Sequence, residues 1–210
     1  RVRRLGQLRP LLAGVDHLVL NGDTLDTRPG PDAAHTNACR AEVLAFFGEH
    51  APHTTFLTGN HDANFTSDHA LDLAGGAVFV THGDILHDDI VPWSQDAPHI
   101  RPQIAAALAA LSAAERAQLA PRLAAWRSVA AAIPQRHQSE PHGLHYLFHY
   151  FRDTVWPPAR VWRIFRTWRE EPARAAAFLH AHRPQAKFFV LGHTHRPGAR
   201  PAPAGIVVIN

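Results

Sequence analysis

The sequence predicts an α/β fold interrupted by a long helical insertion, and three observations carry that expectation. Short apolar runs rich in β-branched and aromatic residues recur at 17–21, 54–58, 77–81, 187–191 and 206–209, each of strand length and bounded by turn residues. A helical stretch from Thr36 to His50 separates the first two runs, which gives a β-α-β start. The interval 85–184 has another character: it is Ala-rich and Pro-interrupted first, then aromatic and Arg-rich.

Taken in order, residues 1–12 read as a helix, followed by the strand at 17–21. The helix at 36–50 returns the chain to the strand at 54–58, with a right-handed connection expected. The strand at 77–81 precedes the insertion, where 104–132 reads as helix broken at Pro121 and Pro134. The strands at 187–191 and 206–209 close the chain. If the four strands that end in polar motifs share a sheet, those motifs collect on one edge of it. A chain of 210 residues with 46% hydrophobic content suffices for one domain, residues 1–210, with 85–184 inserted in it. No apolar run approaches the roughly 18–20 residues of a membrane span. Cys39 is the only cysteine, which excludes an intramolecular disulfide and suits a reducing, cytoplasmic compartment.

Four of the strand-like runs end in chemistry: Asn21-Gly22-Asp23, Gly59-Asn60-His61-Asp62, Thr81-His82-Gly83-Asp84 and Gly192-His193-Thr194-His195. Collected on one edge, they bring together a carboxylate, an amide oxygen and several imidazoles. Imidazole suits zinc or iron, while carboxylate and amide oxygens suit harder ions such as manganese, so the mixture fits a hydrolytic divalent centre better than a structural zinc site. Two ions roughly 3.5–4 Å apart would form a clamp for displacement at phosphorus, and such a pair needs a bridging carboxylate. Asp23 is the candidate. His17, His35, His50, His53, His69, His99, His137, His180 and His182 read as ordinary structural or surface side chains.

These motifs resemble the calcineurin-like metallophosphoesterases, whose blocks run Asp-x-His, Gly-Asp, Gly-Asn-His-Asp or Glu, a later His, and Gly-His-x-His. Gly22-Asp23, Gly59 to Asp62, His82 and Gly192 to His195 match the second to fifth blocks, over about residues 15–84 and 187–210. The resemblance implies a four-layer αββα sandwich with a helical lid and two divalent metal ions (Mn, Fe or Zn). It implies that Asp23 bridges the ions, that Asn60, His82 and His193 complete one site, and that His195 serves the other. His61 would steady the phosphate or protonate the leaving oxygen. The Asp-x-His block has no counterpart here, since Arg1 to Leu12 reads as the helix after it, and with no methionine in the chain that block is expected upstream.

A narrower resemblance is to the UDP-2,3-diacylglucosamine pyrophosphatases, carried by His82-Gly83-Asp84-Ile-Leu86, Asp88-Asp89, Gly22-Asp23-Thr-Leu-Asp26 and the insertion before Gly-His-Thr-His. Those enzymes commonly have Gly-Asn-Arg-Asp where this chain has Gly-Asn-His-Asp. All five tryptophans, Trp93, Trp126, Trp156, Trp162 and Trp168, fall in the insertion. In its segment 160–169, Val161, Ile164, Phe165 and Trp168 follow helical spacing among arginines. Two readings of that helix stand: peripheral contact with an anionic membrane at the inner face, or an apolar face packed on the core with a solvated Arg face. A nucleic-acid partner would rest on charge alone and is set aside. The expected function is metal-dependent hydrolysis of phosphoester or pyrophosphate bonds by a metal-bound hydroxide, on a substrate that includes a UDP-sugar lipid among its candidates. The alternatives are a soluble phosphomonoesterase or nucleotide phosphodiesterase, and a metal-binding scaffold without catalysis.

Overall fold

The computed structural model describes residues 4–135 and 158–210; His137 and Trp156 lie outside them. The chain is mixed α/β, about 50% helix and 14% strand. A 3-10 turn, Leu5–Leu8, leads into the short helix α1, Arg9–Leu12, whose Pro10 occupies the first turn, where no backbone N–H is required. Strand β1, Leu18–Asn21, is followed by helix α2, Ala33–His50, capped where the Asp32 carboxylate accepts from the His35 N–H at 2.8 Å. Strand β2, Thr54–Leu57, then lies parallel to β1, with Leu18 opposite Thr54 and Asn21 opposite Leu57.

The strands that carry the polar motifs divide between two sheets. β1 and β2 form a two-stranded sheet, whereas β3 (Ala70–Leu73), β4 (Val78–Thr81), β5 (Phe188–Val190), β6 (Ala199–Pro201) and β7 (Val207–Ile209) form a second with the order β3-β4-β5-β7-β6. The outer pairs β3/β4 and β6/β7 are antiparallel, and β4/β5 and β5/β7 are parallel. The division follows from two separate apolar sets. Leu18, Leu20 and Phe56 pack with Leu12, Val43, Phe47 and Phe65, a small core between the first sheet and α1–α2. Phe79, Phe189 and Val208 form a cross-strand row, all three excluded from solvent, at the centre of the larger core.

Helices of the inserted region complete that larger core. They are α3 (Ala97–Ala110), α4 (Ala113–Ala117), α5 (Leu119–Ala132) and α6 (Pro158–His182). Pro121 does not break a helix as expected, because it sits in the first turn of α5; the breaks fall at Ser112, which opens α4 with a capping box to Glu115, and at Gln118. Ile100, Ile104, Leu119, Leu123, Trp126, Val129 and Leu179 are buried against the sheet row. Full burial of each such side chain is worth about 1.5–3 kcal/mol, so these helices and the sheet stabilise one another. No helix among the described residues is long and apolar enough to cross a membrane.

Candidate metal centre

The carboxyl ends of β1 and β4 meet at the join between the two sheets, where Asn21 Nδ2 donates to the Thr81 carbonyl at 3.1 Å. The loops after β1 and β2 touch backbone to backbone. Gly22 has φ 77°, and a Cβ there would lie 2.8 Å from Gly59 Cα; a Cβ on Gly59 would lie 2.6 Å from the Asp23 nitrogen. Asp23 itself is left-handed, with φ 54°. The buried Asp62 carboxylate clasps the pair by accepting the N–H groups of Asp23 at 2.9 Å, Thr24 at 2.7 Å and Gly59 at 2.5 Å. Burial, with the Asp23 charge nearby, raises the Asp62 carboxyl against the pull of those donors.

Three atoms crowd His82 Nε2: Asp23 Oδ2 at 3.2 Å, Asn60 Oδ1 at 3.2 Å and His193 Nδ1 at 3.3 Å. The outer nitrogens decide the tautomers. His82 Nδ1 lies 3.0 Å from the Asn21 carbonyl and His193 Nε2 lies 2.7 Å from the Ile90 carbonyl. A carbonyl only accepts, so those nitrogens carry the protons and the inner ones present lone pairs. With both rings neutral, four acceptor atoms therefore converge with no donor hydrogen among them, an arrangement that favours a positive charge at that point. Donors bound to one ion at about 2.1 Å stand about 3.0–3.4 Å apart in octahedral or tetrahedral geometry, which matches the observed spacings. Backbone carbonyls that orient ligand imidazoles from behind are a regular companion of metal sites.

Titration follows the same geometry. Burial disfavours a charged His82, but the Asp23 charge and hydrogen bond, assisted by Asp84, outweigh it and lift the imidazole from 6.5 to about 9. Burial likewise opposes the Asp23 anion, yet His82 and His61 hold its carboxyl well below the usual range. His193 is pushed down to about 3 by burial and by the His82 charge. Without a metal, the cluster thus takes up its one positive charge as a proton on His82. Protons and metal ions compete for that lone pair.

His61 stands beside this cluster. Its N–H donates to Asp23 Oδ1 at 2.9 Å, its Nδ1 lies 3.1 Å from Asp26 Oδ2, and its side chain is 38% exposed. Arg28 fixes Asp26 with two contacts, at 2.9 and 2.6 Å. His195 is not drawn in: it is exposed, with φ 52°, and its side chain makes no hydrogen bond or ion pair among the described residues. Counting His, Cys, Asp and Glu alone, no group of three that could hold an ion occurs among the described residues. Asp23, His82 and His193 do not by themselves make such a group, and the amide oxygen of Asn60 is the fourth donor of the convergence.

The inserted helices reach the same loops through buried polar ties. Arg127 of α5 forks onto Asp84, with Nη1 to Oδ2 at 2.5 Å and Nη2 to Oδ1 at 2.9 Å, while its Nε donates to Thr58 Oγ1 at 2.9 Å. Glu171 of α6 accepts from Thr194 Oγ1 at 2.5 Å and Arg200 Nη1 at 2.7 Å, and Trp168 Nε1 donates to the Thr194 carbonyl at 3.0 Å. The His87 and Trp93 rings flank His193, with centroids 5.7 and 5.4 Å away. Asp26, Asp62 and Asp84 were visible in the sequence as neighbours of the assigned donors. Arg127 and Glu171 carried no local signal, since one sits in an Ala-rich helix and the other among surface-like charges. Compared with known proteins, the chain matches no family model and no curated protein.

Proposed function

We propose that this protein is a metal-dependent hydrolase of phosphoester or pyrophosphate bonds. The observation that carries the reading is the convergence of Asp23 Oδ2, Asn60 Oδ1 and His193 Nδ1 on His82 Nε2, with both imidazoles turned by backbone carbonyls to face the same point. Mn, Fe or Zn held there would polarise a phosphoryl oxygen and lower the pKa of a water nucleophile, with Asp23 the carboxylate available to a second ion. The Asp26 carboxylate orients the His61 ring through Nδ1 and leaves Nε2 free to exchange a proton with the leaving oxygen. Burial opposes the Asp26 anion, but the hydrogen bonds from Arg28, together with the one from His61, outweigh it and hold the carboxyl well below the usual range.

Two sheets with helices packed on each, joined where the ligand loops meet, support the αββα sandwich as the form of this fold. An acyl-bearing, anionic substrate is favoured by the exposed Trp162 and Phe165 on α6, 68% and 56% exposed, beside the exposed Arg166 and Arg169. The test is hydrolysis of bis(p-nitrophenyl) phosphate after loading metal-free protein with Mn²⁺, Fe²⁺ or Zn²⁺. Asp23→Ala is expected to lose bound metal and turnover together. A variant that retains both at the parent level overturns the proposal.

A further inference from the structure

Asn60 and His82 belong to loops after different strands of different sheets, so some element must fix their separation. The β strands do not: β1/β2 and the five-stranded sheet share no ladder. Arg127 spans the gap. Its Nε bonds the hydroxyl of Thr58, two residues before Asn60, and its two terminal nitrogens grip the carboxylate of Asp84, two residues after His82. Thr58 Oγ1 also lies in hydrogen-bond contact with His69 Nδ1 at 2.7 Å, and the His69 carbonyl accepts from Thr81 Oγ1 at 2.9 Å, which returns the chain of hydrogen bonds to the residue before His82.

Arg127, Asp84 and Thr58 are all shut off from solvent. A buried ion pair is a poor source of stability, since the desolvation of both charges offsets their attraction. Its use here lies in geometry, because a planar fork with three occupied donor positions has one orientation that satisfies all of them. We propose that Arg127 is the positioning residue that sets the spacing of the Asn60 and His82 loops, so that metal affinity depends on a helix that supplies no ligand. The inference rests on the metal-centre reading. It also changes what the inserted helices are for: α5 is part of the frame of the site rather than only a cover over it.

The test compares Mn²⁺ binding by calorimetry in full-length parent protein and two variants. Arg127→Met combined with Asp84→Leu removes both charges at once, leaving the local net charge unchanged and an apolar pair in a buried position. The thermal midpoint of the metal-free protein is expected to hold while Mn²⁺ affinity falls about 10–100-fold, the range associated with lost outer supports of metal ligands. Thr58→Val is nearly isosteric and frees only the Asn60 loop; an affinity loss approaching tenfold is expected, with Arg127 still on Asp84. A folded double variant that binds Mn²⁺ like the parent overturns the proposal, and if that variant does not fold, unchanged affinity in Thr58→Val overturns it instead. A parent protein that binds no divalent ion overturns the metal reading and this inference with it, an outcome distinct from the other two.

Discussion

Acidifying the metal-free protein from pH 7 to 4.5 should cost about 2–3 kcal/mol through His87 alone. His87 is 1% exposed, its Nε2 has no hydrogen-bond partner among the described residues, and burial followed by the Arg174 charge lowers its pKa from 6.5 to about 4. In the unfolded chain the ring takes a proton near pH 6.5, whereas the folded protein refuses it until about pH 4. Between those values the unfolded state binds more protons, so this contribution is complete above pH 6.5 and is lost as the pH falls towards 4. Each pH unit in that window is worth about 1.4 kcal/mol for one proton, which gives the figure above. His193, lowered to about 3, adds in the same direction, so the parent alone does not isolate the effect. The comparison is with His87→Leu, which sacrifices no side-chain hydrogen bond and should leave stability at pH 7 unchanged or raised. Urea unfolding with chelator present, at pH 7 and 4.5, should show a parent loss that exceeds the variant's by about 2–3 kcal/mol. Equal losses in the two proteins would refute the assignment of His87 as a buried neutral group.

Two further outcomes are expected. His61→Ala keeps the backbone N–H that donates to Asp23, so metal content by mass spectrometry should match the parent while kcat falls about 10²–10⁴-fold; a change in kcat below about threefold counts against His61 as proton donor. Gly59→Ala places a Cβ against the Asp23 backbone, which has no flexible end to yield, and should destabilise by about 1–3 kcal/mol with loss of Mn²⁺ binding; a normal denaturation midpoint would show that the two loops are not in contact.

The strands that carry the site were legible because their signal is local. β1, β2, β4, β5 and β7 are apolar runs that stop at a glycine, a histidine or an asparagine within a residue or two of their observed ends. β3 and β6 were not foreseen, and both are edge strands. Ala70–Leu73 is four residues with an aspartate, and Ala199–Pro201 ends in a proline that only an edge tolerates, so neither needed the continuous apolar character that marks a central strand. Which strands share a sheet depends on partners far apart in sequence, and here Leu18 and Leu20 turn to α2 while Phe79 and Phe189 turn to the inserted helices.

The site divides in the same way. Asp23, Asn60, His82 and His193 could be named from short motifs, since each motif holds both the donor and the glycine that lets its loop bend. The ties that hold them apart by the right distance could not, because Arg127 meets Asp84 across 43 residues and Glu171 meets Thr194 across 23. Helix α6 makes the point most sharply. Its sequence put Val161, Ile164, Phe165 and Trp168 on one apolar face, yet Phe165 is exposed while Trp168 is half-buried against Thr194, and Glu171 is wholly buried. Arg160, one of the arginines of that stretch, turns inward to the Trp93 carbonyl. One side of the helix is bolted by Trp168 and Glu171 to the loop that bears His193, and the other leaves Trp162, Phe165 and Arg169 exposed. Its inner face is thus hydrogen-bonded to Thr194, one residue from His193 of the proposed metal centre.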